Sequence, residues 1–152
     1  MTAGQLKEFI EARVPTYTDV QALGAGSAFH YTANADAIDA TGKFFGAPLD
    51  GNLDKTQITL HSPPATCDLG AVYAYLKLSD SVEEGFGCEI YEIRFHEAVS
   101  AIHSQEKALS AMNPDFVAAD YPATILILTS DIIDFKRLGP ADTLEKLEER
   151  SK

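Results

Sequence analysis

The stretch Phe29-His30-Tyr31-Thr32-Ala33-Asn34-Ala35-Asp36-Ala37-Ile38-Asp39-Ala40-Thr41-Gly42 constrains the fold of this chain more than any other. It reads as the end of a strand that delivers a histidine and a threonine, followed at once by a short helix. Thr32 or Asn34 is the candidate N-cap, because a short side-chain oxygen there can accept an orphan N–H of the first turn. Asp36 lies in that turn, where a negative charge meets the positive end of the helix. Ile38 forms an apolar seam with Ala35 and Ala37, and Gly42 stands where a left-handed C-cap belongs. A polar pair at the mouth of a strand, backed by a helix start, can build a small-molecule site. It can equally be a plain strand–turn–helix corner in which His30 caps or is buried and satisfied.

At 152 residues the chain suits one domain, long enough to bury about two-thirds of its unfolded surface. Hydrophobic residues at 45% and charged residues at 23% are the composition of an ordinary globular protein. No apolar run approaches the roughly 20 residues a membrane helix needs, so no membrane is expected as a partner. The N-terminus has neither the basic nor the apolar region of a signal peptide, which makes the cytoplasm the expected location. Cys67 and Cys88 are too few for a disulfide scaffold and lack metal-ligand spacing, and both read as structural thiols. The formal charge of −11 repels phosphate backbones and there is no basic patch, so nucleic acid is disfavoured as a partner. A basic protein, or a compact ligand held in a pocket, remains compatible with it.

Along the chain, Leu6, Phe9, Ile10 and Val14 recur at helical spacing, and Pro15 closes an N-terminal helix over 1–15. Residues 16–27 read as loop, with Gly24-Ala25-Gly26-Ser27 a flexible lead-in turn that lacks the third glycine of a dinucleotide fingerprint. The long polar segment Leu49–Leu69 holds only one short strand candidate, Gln57–Leu60, and its length points to a lid or a partner-contacting loop. Gly70–Leu76 is a strand candidate with Val72, Ala74 and Leu76 on one face and Tyr73 and Tyr75 on the other. Ser79-Asp80-Ser81 is expected to cap a short helix near Val82–Phe86. Cys88–Phe95 reads as an amphipathic strand, Tyr91, Ile93 and Phe95 on one face, Ile90 with Glu92 and Arg94 on the other. Ala98–Ile102 could be a strand, and Glu106–Met112 a strand or a helix. Ala123–Thr129 is dense in β-branched residues and is the clearest strand. Asp131–Leu138 looks extended, and 141–152 is a charged terminal helix with Leu144 and Leu147 as its apolar contact. The expectation is an α+β fold with a mostly antiparallel sheet.

Three features stand in order: His30-Tyr31-Thr32 before a helix ending Ile38-Asp39-Ala40-Thr41-Gly42, then Gly70-Ala71-Val72-Tyr73 before a serine-rich helix start, then Gln105-Glu106. This order resembles the ADP-ribosyltransferase fold of the histidine–tyrosine–glutamate clade, which includes PARP-like enzymes, DarT-like toxins and rifampicin-modifying transferases. The resemblance covers residues 28–138 and implies two small, mostly antiparallel sheets with flanking helices. It further implies NAD as the substrate, cleavage of the nicotinamide–ribose bond, and transfer of ADP-ribose to a protein or small-molecule acceptor without a metal, in a bacterial or phage toxin or effector.

By that resemblance, His30 bonds the adenosine ribose 2′-hydroxyl, Thr32 braces the nicotinamide-side ribose or the backbone turn, and backbone groups at Tyr31 grip the carboxamide. Tyr73 stacks on the nicotinamide ring, with Tyr75 on the same strand face. Glu106 bonds the other ribose and stabilises the oxocarbenium-like cation. Glu92 and Asp120 compete with Glu106 for the acidic role. PARP-like enzymes carry glycine where this chain has Tyr31, and the arginine set of the sister RNA 2′-phosphotransferases is absent. The alternative function is an acidic inhibitor that binds a basic protein, or a degenerate transferase fold that binds NAD without turnover; its motive is acidity in the long loop, residues 79–92 and the C-terminal helix.

Overall fold

The run Thr124-Ile125-Leu126-Ile127-Leu128 has no polar face, so as a strand it needs apolar cover on both sides. The architecture provides it. The computed structural model describes residues 2–13, 17–44, 71–103, 123–141 and 144–152. Their order is α1 (Ala3–Arg13), β1 (Tyr17–Leu23), β2 (Gly26–Thr32), α2 (Ala35–Thr41), β3 (Ala71–Ala74), α3 (Leu78–Glu84), β4 (Glu89–Phe95), β5 (Ala98–His103), β6 (Thr124–Leu128), β7 (Ile132–Pro140) and α4 (Leu144–Ser151). The fold is α+β with two small antiparallel sheets, one in the order β1-β5-β6-β3 and the other β2-β4-β7.

Three apolar clusters define the layers. Ile125 and Ile127 of β6 face the core between the sheets, with Val72, Ala74, Tyr91, Ile93, Phe95, Ile38 and Phe44. Leu126 and Leu128 face the other way, onto Leu6 and Ile10 of α1. On the far side of the second sheet, Ile90 packs with Leu78, Leu138 and Leu147 under α3 and α4. The helix spacing of Leu6 and Ile10, the two-faced reading of β4 and the Leu147 contact of α4 therefore hold. Among the described residues no helix is long and apolar enough to cross a membrane.

Three local expectations are corrected. Residues 17–23, read as loop, are strand β1: Asp19 adopts a φ of 53° and the pairing with β5 slips between Thr18 and Gln21. A bulge of this kind interrupts the alternation by which a strand is recognised. Ser79-Asp80-Ser81 do not cap α3 but lie inside it. Lys77 is the N-cap, and the helix starts early enough to place Leu78 in the third cluster. Phe86 lies beyond the end of that helix, at Glu84. Leu76 is 50% exposed instead of sharing the buried face of Val72 and Ala74, because the regular strand ends at Ala74. Val14, Pro15, the Leu49–Leu69 segment, Cys67, Gly70, Glu106–Met112 and Asp120 lie outside the described residues.

Geometry requires glycine at Gly42 and at Gly85 for different reasons. Gly42 has a φ of 68° and its N–H closes α2 on the Ile38 carbonyl at 2.8 Å, with open space where a Cβ would stand. Gly85 packs flush on Tyr31: a Cβ there would overlap the Tyr31 side chain and lie 2.9 Å from the Ser81 carbonyl oxygen. Gly42→Ala is therefore expected to cost about 1 kcal/mol through backbone strain alone. Gly85→Ala is expected to cost about 1–3 kcal/mol, because fixed groups must shift. Chemical denaturation of the two variants checks the ranking, and an equal cost would contradict the close approach at Gly85.

Candidate functional site

The site forms where the free edges of the two sheets meet. β2 and β3 are both edge strands, joined by one antiparallel bridge between Phe29 and Tyr75. Each residue donates its N–H to the other's carbonyl, at 2.7 and 2.8 Å. In a continuing antiparallel ladder the next bonded pair would be Tyr31 and Tyr73. Instead the Tyr73 carbonyl accepts from the imidazole of His30, with Nδ1 at 2.5 Å. A carbonyl only accepts, so Nδ1 carries the hydrogen and Nε2 keeps its lone pair. The side chain thus replaces a rung of the ladder at the point where the sheets part.

Alternation along β2 divides its residues. Ala28, His30 and Thr32 are buried on the inter-sheet side, while Phe29 and Tyr31 pack toward the α3–α4 side. His30 is 1% exposed, with the Phe44 ring edge-on at 5.4 Å. Burial pushes its pKa down to about 4, against a smaller opposing effect of the bond to Tyr73, so the ring is neutral near pH 7. Thr32 accepts the Asn34 N–H on Oγ1 at 2.9 Å, while Asn34 takes the N-cap position of α2. Threonine therefore shapes the turn that leads into the helix.

Tyr31, Tyr73 and Tyr75 form one aromatic cluster. Tyr31 stacks on Tyr75 at 6.4 Å between ring centres and meets Tyr73 edge-on at 6.1 Å. Tyr73 and Tyr75 meet edge-on at 5.1 Å with their hydroxyls hydrogen-bonded to each other. Desolvation is the first cause that raises the pKa of all three phenols, and each also feels the carboxylate of Glu84. They are neutral phenols at physiological pH.

Glu84 is not among the candidates that the sequence singles out. Its placement depends on α3 packing over β2, and the only sequence hint is a Glu83-Glu84 pair ahead of Gly85. Desolvation, then the charges of Glu83 and Asp80, hold its carboxyl above the usual range. Ser81 is fully buried, and its Oγ has no hydrogen-bond partner among the described residues. Of the other acidic candidates, Glu92 accepts from Ser151 Oγ at 2.9 Å at the end of α4. Glu106 and Asp120 are outside the described residues.

Helix α2 is fixed to the second sheet by a polar network. The Tyr91 hydroxyl donates to Asp39 Oδ1 at 2.6 Å and lies 3.1 Å from the Ala35 carbonyl. Arg137 pairs with Asp39 and donates from Nε to Glu89 at 3.2 Å. The Tyr91 bond first, then Arg137, hold the Asp39 carboxyl below its ordinary range. A cavity of about 400 Å³ opens beside the C-terminus of α2, lined by Gly42, Lys43, Phe44 and residues of the 129–135 corner. None of the tyrosines lines it. Among the described residues no group of three or more His, Cys, Asp or Glu side chains could hold a metal. The chain matches no protein-family model, no curated protein and no solved structure.

The His30 shift has a defined consequence for stability. Its folded pKa lies below the unfolded value of 6.5, so between pH 6.5 and about 4 the unfolded chain binds a proton that the folded chain does not. Stability falls as pH drops through that window, by on the order of 3 kcal/mol from this group. Denaturation of wild type and His30→Gln from neutral pH to pH 4 is expected to show a smaller acid-side loss in the variant. Identical losses would mean that the imidazole titrates normally.

Proposed function

We infer that the protein is an NAD-dependent mono-ADP-ribosyltransferase acting at the junction of the two sheets. The observation that carries this reading is the junction itself: His30 bonded to the Tyr73 carbonyl, with Tyr31, Tyr73 and Tyr75 clustered where the strands diverge. These are the residues that the resemblance assigns to the dinucleotide. The α+β architecture with two small antiparallel sheets supports it further.

The chemistry asks for orientation and electrostatics. The bond between nicotinamide and ribose breaks, the electron pair leaves with neutral nicotinamide, and the sugar carries developing positive charge. An acceptor nucleophile then bonds to that carbon and gives up its proton. Neutral phenols suit a pyridinium ring, because an aromatic face attracts a cation. A neutral His30 whose Nε2 is the acceptor nitrogen suits a ribose hydroxyl donor. A carboxylate must face the cation and take the acceptor proton. Glu106 holds that role by resemblance, with Glu92 and Asp120 as its sequence competitors, and Glu84 is the described carboxylate that acts on the tyrosines.

A second reading, an acidic protein that binds a basic partner, is favoured by Asp80, Glu83 and Glu84, which make no ion pair among the described residues. Nicotinamide release from labelled NAD separates the two. In the transferase reading, wild type releases nicotinamide and Tyr73→Ala raises KM for NAD about fivefold, the equivalent of one stacking contact. Loss of the catalytic carboxylate lowers kcat about 100-fold or more, and Glu106→Gln, Glu84→Gln, Glu92→Gln and Asp120→Asn identify which one it is. The absence of both NAD binding by calorimetry and nicotinamide release from wild type would overturn the reading.

A further inference from the structure

The turn after α3 presents an aromatic side chain to water. Phe86 is 78% exposed, held between Gly85, which is locked against Tyr31, and Gly87, which has a φ of 86°. A large apolar side chain left this open gains when a partner covers it, and aromatic anchors dominate the energetics of protein interfaces. Beyond Lys77, the exposed N-cap of α3, the chain leading to and from this turn carries one sign of charge. Residues 78–92 contain no lysine or arginine, and desolvation first, then the charges of Glu83 and Asp80, hold the Glu84 carboxyl above its usual range. Glu89, at the start of β4, is by contrast neutralised by Arg137.

We propose that the Phe86 turn, together with Asp80, Glu83 and Glu84 of α3, is a docking surface for a basic polypeptide that inserts an apolar side chain against Phe86. The charges select this occupant. An anionic membrane or a nucleic acid would be repelled, and a small polyamine would leave the ring uncovered. Gly85 ties the turn to Tyr31, so a segment docked on Phe86 lies beside the tyrosine cluster. The surface rests on exposure and charge, not on NAD chemistry, and it stands whether or not the junction turns NAD over.

The test uses a fluorescein-labelled peptide of lysines and arginines around one leucine, with fluorescence anisotropy read at low salt and at about 0.15 M. Phe86→Ala is expected to weaken binding about tenfold at both salts, with the thermal midpoint unchanged because the ring is exposed. Asp80→Asn/Glu83→Gln is expected to weaken it several-fold at low salt and to flatten the salt dependence. Glu145→Gln/Glu148→Gln makes the same charge change on exposed positions of α4 and is expected to alter affinity less than about twofold. Equal weakening by the two charge pairs, or no effect of Phe86→Ala, would overturn the proposal in favour of diffuse attraction to an acidic protein. Nicotinamide release measured on the same samples without peptide reads the transferase chemistry separately.

Discussion

Two backbone hydrogen bonds between Phe29 and Tyr75 hold the edges of the two sheets together, and the layout of the molecule depends on them. One further rung would begin to merge the sheets. That rung is missing because the His30 imidazole takes the Tyr73 carbonyl. A buried carbonyl left without a donor costs roughly 1–3 kcal/mol, so the imidazole satisfies what the departing strand no longer can. The strands then diverge, and side chains of both edges fill the opening. His30 and Phe44 lie on the inter-sheet side, and the tyrosines gather where the edges part.

The elements around the junction are fixed from outside. Tyr91 and Arg137 hold α2 through Asp39, so the turn at Thr32 and Asn34 cannot drift from the second sheet. Helix α4 is fastened at its C-terminal end, where Arg150 donates to the Leu138 carbonyl at 2.6 Å and Ser151 donates to Glu92. With Leu147 and Ile90 in one cluster with Leu78, α4 also supports α3, and α3 in turn brings Gly85 against Tyr31. The geometry of the tyrosine cluster is thus set by contacts from both sheets and two helices.

The electrostatic pattern is layered in the same way. At the junction the titratable groups are neutral, with the imidazole pushed down and the phenols pushed up by desolvation. Just outside it, α3 presents Asp80, Glu83 and Glu84, which make no ion pair among the described residues. A neutral, aromatic junction on β2 and β3 therefore lies beside an acidic helix, α3.

Much of this was legible from local chemistry. The Asp36 and Gly42 signals of α2, the apolar spacing of Leu6 and Ile10, and the polar-free run of β6 each specify an element, because helix ends and two-sided burial leave marks in neighbouring residues. The Ser-rich stretch before Glu84 and the bulged strand at Asp19 misled, since early burial of Leu78 and pairing with β5 override local preference. His30, Tyr31, Thr32, Tyr73 and Tyr75 could be named as candidates from the sequence. That His30 would bond the Tyr73 carbonyl, that Tyr31 would stack on Tyr75, and that Glu84 would face them was decided only by the meeting of two sheet edges. The first two contacts join residues more than 40 positions apart, and the energies of all three depend on packing that no local pattern encodes.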